Sequence, residues 1–125
     1  MKEVLGKQIL MDCWGCNSQI ASAEAVRAVL REAVAQANVT LLDLSVHEFH
    51  PQGVSAVALL AESHLFVHAW PEKSYLAVDF FTCGTNAVPE KALAAICAAF
   101  TPAHTNVQEI ERGIGARQAG KPAPE

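Results

Sequence analysis

From Val39 to Gly84 the chain is a succession of short β-rich runs broken by turn signals. No other feature restricts the fold as strongly. Val39 to Phe49 is rich in Leu and Val and runs into His50-Pro51-Gln52-Gly53, a Pro/Gly turn, after which Val54 to Ala61 forms the second arm of a hairpin. Leu65 to Ala69 stays extended into Trp70-Pro71, where the proline disfavours a helix, and Tyr75 to Thr82 is another β-rich run that Gly84 closes. Strands joined by turns this short must pair antiparallel, because a parallel pair needs a crossover of about a dozen residues.

The flanks supply the rest of the architecture. Gln8 to Trp14 reads as a strand, and Ser18 to Ala37 as a helix that buries Val26, Val29, Leu30, Ala33, Val34 and Ala37. Pro89 opens a second helix, with Leu93, Ile96, Cys97 and Phe100 at i, i+3, i+4 and i+7, so Cys97 reads as core. His104 to Glu111 returns as a last strand. The order β-α-β-β-β-β-α-β predicts an α+β two-layer sandwich, a mainly antiparallel sheet with two helices on one face. Residues 1–112 form a single domain in this reading, and 113–125, with three Gly, two Pro and three Ala, a flexible tail. A chain of 125 residues with 51% hydrophobic and 18% charged residues is packed rather than disordered.

Several function classes drop out on charge and patterning. The start has charges at positions 2, 3 and 7 and no long apolar run, so no signal peptide is expected. No stretch reaches the roughly 18 apolar residues of a membrane span, and a soluble, cytoplasmic protein that binds no membrane follows. Nine Lys and Arg against thirteen Asp and Glu, without a basic cluster, exclude the footprint of a nucleic-acid-binding protein. From Glu32 to Glu72 there are five acids and no Lys or Arg, which suits either a site for a cationic ligand or an ordinary acidic surface. The four cysteines are expected as thiols. Cys13-Trp-Gly-Cys16 has Cys-x-x-Cys spacing, which His47/His50 or His64/His68 could complete as a zinc site. It could also act in thiol redox at a strand-to-helix junction, although Trp14-Gly15 has the character of a turn.

The stretch from Gly53 to Gly84 carries the chemistry. It holds Gly53-Val54-Ser55, Glu62-Ser63-His64, His68-Ala69-Trp70-Pro71-Glu72 and Phe81-Thr82-Cys83-Gly84, a density of reactive types that strands do not need for packing. As an ordered set, from about Gly6 to Gly113, these motifs resemble the prokaryotic S-adenosylmethionine decarboxylase family, whose members make a pyruvoyl cofactor from an internal serine. The resemblance implies a proenzyme cut between Glu62 and Ser63 into a β chain 1–62 and an α chain 63–125.

Self-cleavage requires the Ser63 hydroxyl to attack the Glu62 carbonyl, giving an oxyanion and then an ester that breaks by losing the Ser63 α-proton. By resemblance His68 is the processing base and Ser55 a hydroxyl that helps stabilise the tetrahedral intermediate. Ser63 and His68 point to opposite faces of an extended segment, so the chain is expected to turn or strain between them. The pyruvoyl group from Ser63 would form a Schiff base with the substrate amine and accept electrons as carbon dioxide leaves. The resemblance assigns the proton returned to the α-carbon to Cys83. It also assigns Phe49 to stacking on adenine and Glu72 to the ribose hydroxyls, with core and turn roles as the plain alternatives. A cationic sulfonium favours aromatic and acidic neighbours.

Ala56 stands where the family usually has Gly, Ala69 where Thr is usual, and Lys73-Ser74 replaces a more aromatic, glycine-containing turn. These departures are expected around the pocket. They keep a pyruvoyl-dependent arginine or ornithine decarboxylase open as the alternative, while Glu72 favours the nucleoside. The product would be the aminopropyl donor for spermidine, and the resemblance implies a homodimer with pockets at or near the interface.

Overall fold

The computed structural model describes residues 4–84 and 86–115. Six strands and two helices form it: β1 Gly6–Trp14, α1 Ala23–Gln36, β2 Leu41–Glu48, β3 Val54–Leu60, β4 Ser63–Trp70, β5 Tyr75–Cys83, α2 Pro89–Phe100 and β6 His104–Arg112. The strands make one sheet in the order β2-β3-β4-β5-β1-β6, antiparallel at every pairing. Consecutive hairpins build β2 to β5, as the turn signals require. β1 then lies against β5, pairing Trp14 with Tyr75 and Gly6 with Cys83, so the chain's first strand sits beside its central reactive stretch.

Alternation along the strands sorts the sheet into two faces. One face carries Ile9, Met11, Cys13, Leu65, Val67, Leu76, Val78 and Phe80, all buried against the helices. α1 contributes Val26, Leu30, Ala33 and Val34, as its periodicity predicts. The buried stripe of α2 is Ala92, Ile96 and Phe100, with Leu93 and Cys97 only partly buried. Ile96 and Phe100 are buried as expected, while Ala92 takes the buried place expected for Leu93.

The predicted helix from Ser18 is two elements. A 3-10 turn spans Ser18–Ala21, capped by the Asn17 side chain, and α1 starts afresh where the Ser22 hydroxyl accepts from the Ala25 amide at 3.0 Å. Each serves as a local N-cap, which periodicity alone does not register.

No described element covers the opposite face. It presents Leu10, Asp12, Phe66, His68, Ala77 and Asp79 around a shallow cavity of about 480 Å³. No described helix is long and apolar enough to cross a membrane. Of the proposed tail, 113–115 is described and 116–125 lies outside the described residues.

Candidate active site

Two groups of reactive side chains sit at opposite ends of β4. At the first, the register pairs Ser55 of β3 with His68 of β4 on the open face. The Ser55 Oγ and His68 Nδ1 are 2.7 Å apart, a hydrogen bond joining two residues thirteen apart in sequence. Gly53, at φ +115°, lets the β2–β3 connection fold tightly, and its carbonyl accepts from the Phe49 amide at 2.8 Å. Glu72 lies in the 3-10 turn Pro71–Lys73, which ends at Ser74 in the left-handed region with φ 51°. Ser74, which is not a glycine, adopts that conformation at a cost. Phe49, Gln52, Gly53, Ser55, His68, Ala69, Trp70 and Glu72 together line a cavity of about 400 Å³.

At the other end, Ala61 and Glu62 join β3 to β4, and Glu62 adopts φ +63°, a left-handed conformation that costs a non-glycine residue about 1 kcal/mol or more. Ser63 begins β4 and is 9% exposed, turned toward the helix-covered side. Its hydroxyl makes a long 3.4 Å contact with the Ala61 carbonyl. The Cys83 thiol donates to the Glu62 carbonyl oxygen at 2.9 Å. A strained peptide, a neighbouring hydroxyl and a donor on the carbonyl that hydroxyl would attack therefore occur together. Leu5, Gly6, Lys7, Thr82, Cys83 and Gly84 help line a cavity of about 340 Å³ there.

Within one chain these two groups do not meet. β4 is an unbroken strand from Ser63 to Trp70, paired on both sides, so the expected turn between Ser63 and His68 is absent. Continuous hydrogen bonding to β3 and β5 holds it straight. Five residues of strand put about 16 Å between them, with side chains on opposite faces.

Other expectations need correction. Ala56 is buried on the core face and does not line the pocket, whereas Ala69 does. The five acids between Glu32 and Glu72 form no joint site: Glu32 bonds Gln36 on α1, Glu72 lines the pocket and Glu62 stands at the strained turn. No group of three or more His, Cys, Asp or Glu among the described residues could hold a metal ion, so neither His47/His50 nor His64/His68 completes a zinc site with Cys13 and Cys16. Burial, then the neighbouring Cys97 and Cys16, pushes the Cys13 thiol up to about 12, and burial raises Cys16 as well. A redox motif needs lowered thiol pKa values and access, and both side chains are instead buried in the core.

Sequence reading gave no role to Trp14, Phe66, Trp70 or Tyr75. Trp14, Tyr75, Trp70, His68 and Phe66 form a ladder across the open face with successive centroids 4.3, 5.5, 6.1 and 4.7 Å apart. The Tyr75 hydroxyl donates to Asp12. The period-2 alternation of Phe66, His68 and Trp70 along one strand was the available signal.

Fold and geometry define a class: a small two-layer α+β protein carrying a strained Glu-Ser peptide, a thiol on its carbonyl and a Ser–His pair in a cavity of about 400 Å³. The family model described as S-adenosylmethionine decarboxylase matches residues 7–113. The chain is 44% identical over 111 residues to the S-adenosylmethionine decarboxylase proenzyme of Thermomicrobium roseum, covering 88% of this chain and 95% of that one. It is 42% identical to the proenzyme of the same name from Methanococcus maripaludis, covering 88% and 91%. Among solved structures, the adenosylmethionine decarboxylase of Aquifex aeolicus superimposes with a TM-score of 0.82 at 34% identity, over 88% of this chain and 92% of that one. The Trypanosoma brucei AdoMetDC-delta26 monomer shares the fold, with a TM-score of 0.63 at 19% identity, over 81% of this chain and 44% of that one. This chain belongs to the S-adenosylmethionine decarboxylase family, a family of carboxy-lyases.

Proposed function

We propose that the protein is a proenzyme that cleaves itself between Glu62 and Ser63 and then decarboxylates S-adenosylmethionine to the aminopropyl donor for spermidine. The observation that carries this is the Cys83 thiol donating to the Glu62 carbonyl, at 2.9 Å, on the left-handed peptide next to Ser63. Every relative named above is an adenosylmethionine decarboxylase, which favours this substrate over arginine or ornithine.

In the first reaction Ser63 Oγ attacks the Glu62 carbonyl carbon while Cys83 Sγ stabilises the oxygen as it becomes negative. The amide gives way to an ester, releasing the Glu62 torsion, and the ester breaks on loss of the Ser63 α-proton. His68, oriented through Ser55, is the base. A pyruvoyl group made from Ser63 supplies an electron sink for the charge left by departing carbon dioxide. The strained peptide, the hydroxyl and the Cys83 donor fit its formation there. Cys83 Sγ then returns a proton to the substrate α-carbon, and Phe49 and Glu72 hold adenine and ribose. A thiol must stay reduced for that task, which suits the cytoplasm.

The separation of Ser63 from His68 supports a homodimer with shared sites, in which Ser55, His68, Phe49 and Glu72 of a second copy meet Ser63 and Cys83. The uncovered sheet face, carrying half-buried Leu10, Phe66 and Ala77 among its polar residues, supports the same arrangement.

Complementation tests both ideas. Purified protein should resolve by intact mass into fragments of 62 and 63 residues, while Ser63→Ala and His68→Ala alone each stay at 13.4 kDa. Co-expressed, the two variants should yield cleaved chains, because the Ser63→Ala copy donates His68 to the other. Absence of cleavage in the mixture sinks the shared site, and an uncleaved wild-type chain sinks the proenzyme reading.

A further inference from the structure

We propose that the Thr82 hydroxyl positions Ser63 for its attack on the Glu62 carbonyl. The inference rests on the self-cleavage reading above and gives a role to a side chain which that reading leaves unused.

Among the described residues the buried polar side chains are two, Ser63 at 9% exposure and Thr82 at 6%. They face each other. β4 pairs His64 with Phe81 of β5, so one residue further the register sets Ser63 against Thr82, and both turn to the helix-covered side. Residues opposite each other on one face of an antiparallel pair have Cβ atoms about 4.5–5.5 Å apart, a spacing at which Thr and Ser hydroxyls join across strands.

Neither hydroxyl is well satisfied where it rests. Thr82, which lines the cavity beside Cys83, has no side-chain hydrogen bond among the described residues. Ser63 makes only the 3.4 Å contact with the Ala61 carbonyl, beyond the ordinary range for an O–H donor. Lys7, which pairs with Thr82 from the other side, is turned to Glu109 at 3.7 Å. Valine has nearly the same shape and would fill this core-facing place without burying an unpaired hydroxyl, so packing does not account for the threonine.

The reaction does account for it. To attack, Ser63 Oγ turns from the Ala61 carbonyl and brings a lone pair onto the Glu62 carbonyl carbon. A serine hydroxyl has one hydrogen to donate and two lone pairs. With that hydrogen accepted by Thr82 Oγ1, both lone pairs are left for the carbonyl carbon, and the nucleophile is held in one orientation instead of several. Cys83 meanwhile donates to the oxygen of the same carbonyl. Successive residues of a strand point to opposite faces, so Thr82 and Cys83 address the two partners of the forming bond from either side of β5.

Self-cleavage of the full chain, timed by intact mass after cell-free synthesis, tests the assignment. Thr82→Val keeps the shape and removes the hydroxyl, and it should slow cleavage roughly threefold to tenfold, while Thr82→Ser should stay within about twofold of wild type. In a Ser63→Ala background, which cannot cleave, Thr82→Val should unfold in urea at or above the midpoint of its parent, since an unpaired buried hydroxyl is gone. Cleavage at the wild-type rate in Thr82→Val overturns the proposal. Equal slowing in Thr82→Val and Thr82→Ser, or a lowered urea midpoint in Thr82→Val, overturns it too, because either result points to packing instead of the hydroxyl. Should Thr82→Val not fold, Thr82→Ala carries the cleavage comparison, since it differs from Thr82→Ser by the hydroxyl alone. A wild-type chain that stays whole at 13.4 kDa overturns the self-cleavage reading itself, and with it the role of Thr82.

Discussion

Glu62 and Cys83 are the residues on which the proposed cleavage turns, through a positive φ and a thiol hydrogen bond to the Glu62 carbonyl. A left-handed glutamate immediately before a serine stores strain in the one peptide that the proposed reaction breaks. In a Ser63→Ala background, which cannot cleave, Glu62→Gly should raise stability by about 1 kcal/mol in urea unfolding, because glycine adopts positive φ freely. With Ser63 present the same change should slow cleavage. Cys83→Ala removes the donor on the Glu62 carbonyl and should slow cleavage by about tenfold to a hundredfold in time-resolved mass spectra, a share of what a strong oxyanion donor supplies. The family was legible because the ordered motifs around Ser63, His68, Glu72 and Cys83 are distinctive. The contact between Cys83 and the Glu62 carbonyl was not, since it joins residues twenty-one apart through the pairing of β4 with β5.

At the scale of elements, the strands were read with bounds within about two residues, because alternation and turn chemistry act locally. The helical segment starting at Ser18 was read as one piece, since its apolar spacing continues through a break that hydrogen bonds create. Ser22 makes that break: its side chain caps α1. Ser22→Ala should cost about 1 kcal/mol in chemical unfolding, and Ser22→Asn much less. An α1 that is insensitive to both would mean that packing of Val26 and Leu30 alone fixes where it starts.

For the whole molecule, the decisive feature is the asymmetry between a sheet face sealed by helices and one that no described element covers, on which Ser55 and His68 meet. Leu10→Lys, on the open face two strands from β4 and in the same shallow cavity as His68, should shift the protein to monomer in sedimentation. It should also reduce self-cleavage, since His68 would no longer reach the Ser63 of another copy. A monomer that cleaves at the wild-type rate would rule out sharing. The proposed cleavage would take the formal charge from −4 to −5, because Glu62 would gain a carboxylate that no new ammonium balances. By itself the sequence determined the antiparallel sheet, the two helices and the family, since hydrophobic period, turn residues and motif order are local and written directly in residue types. Only the tertiary structure decided that β4 runs straight, that Ser63 and His68 lie on opposite faces at its two ends, and that Trp70 shares a cavity with Glu72. Those are consequences of which strands pair and in what register, and such long-range pairings leave no local signal.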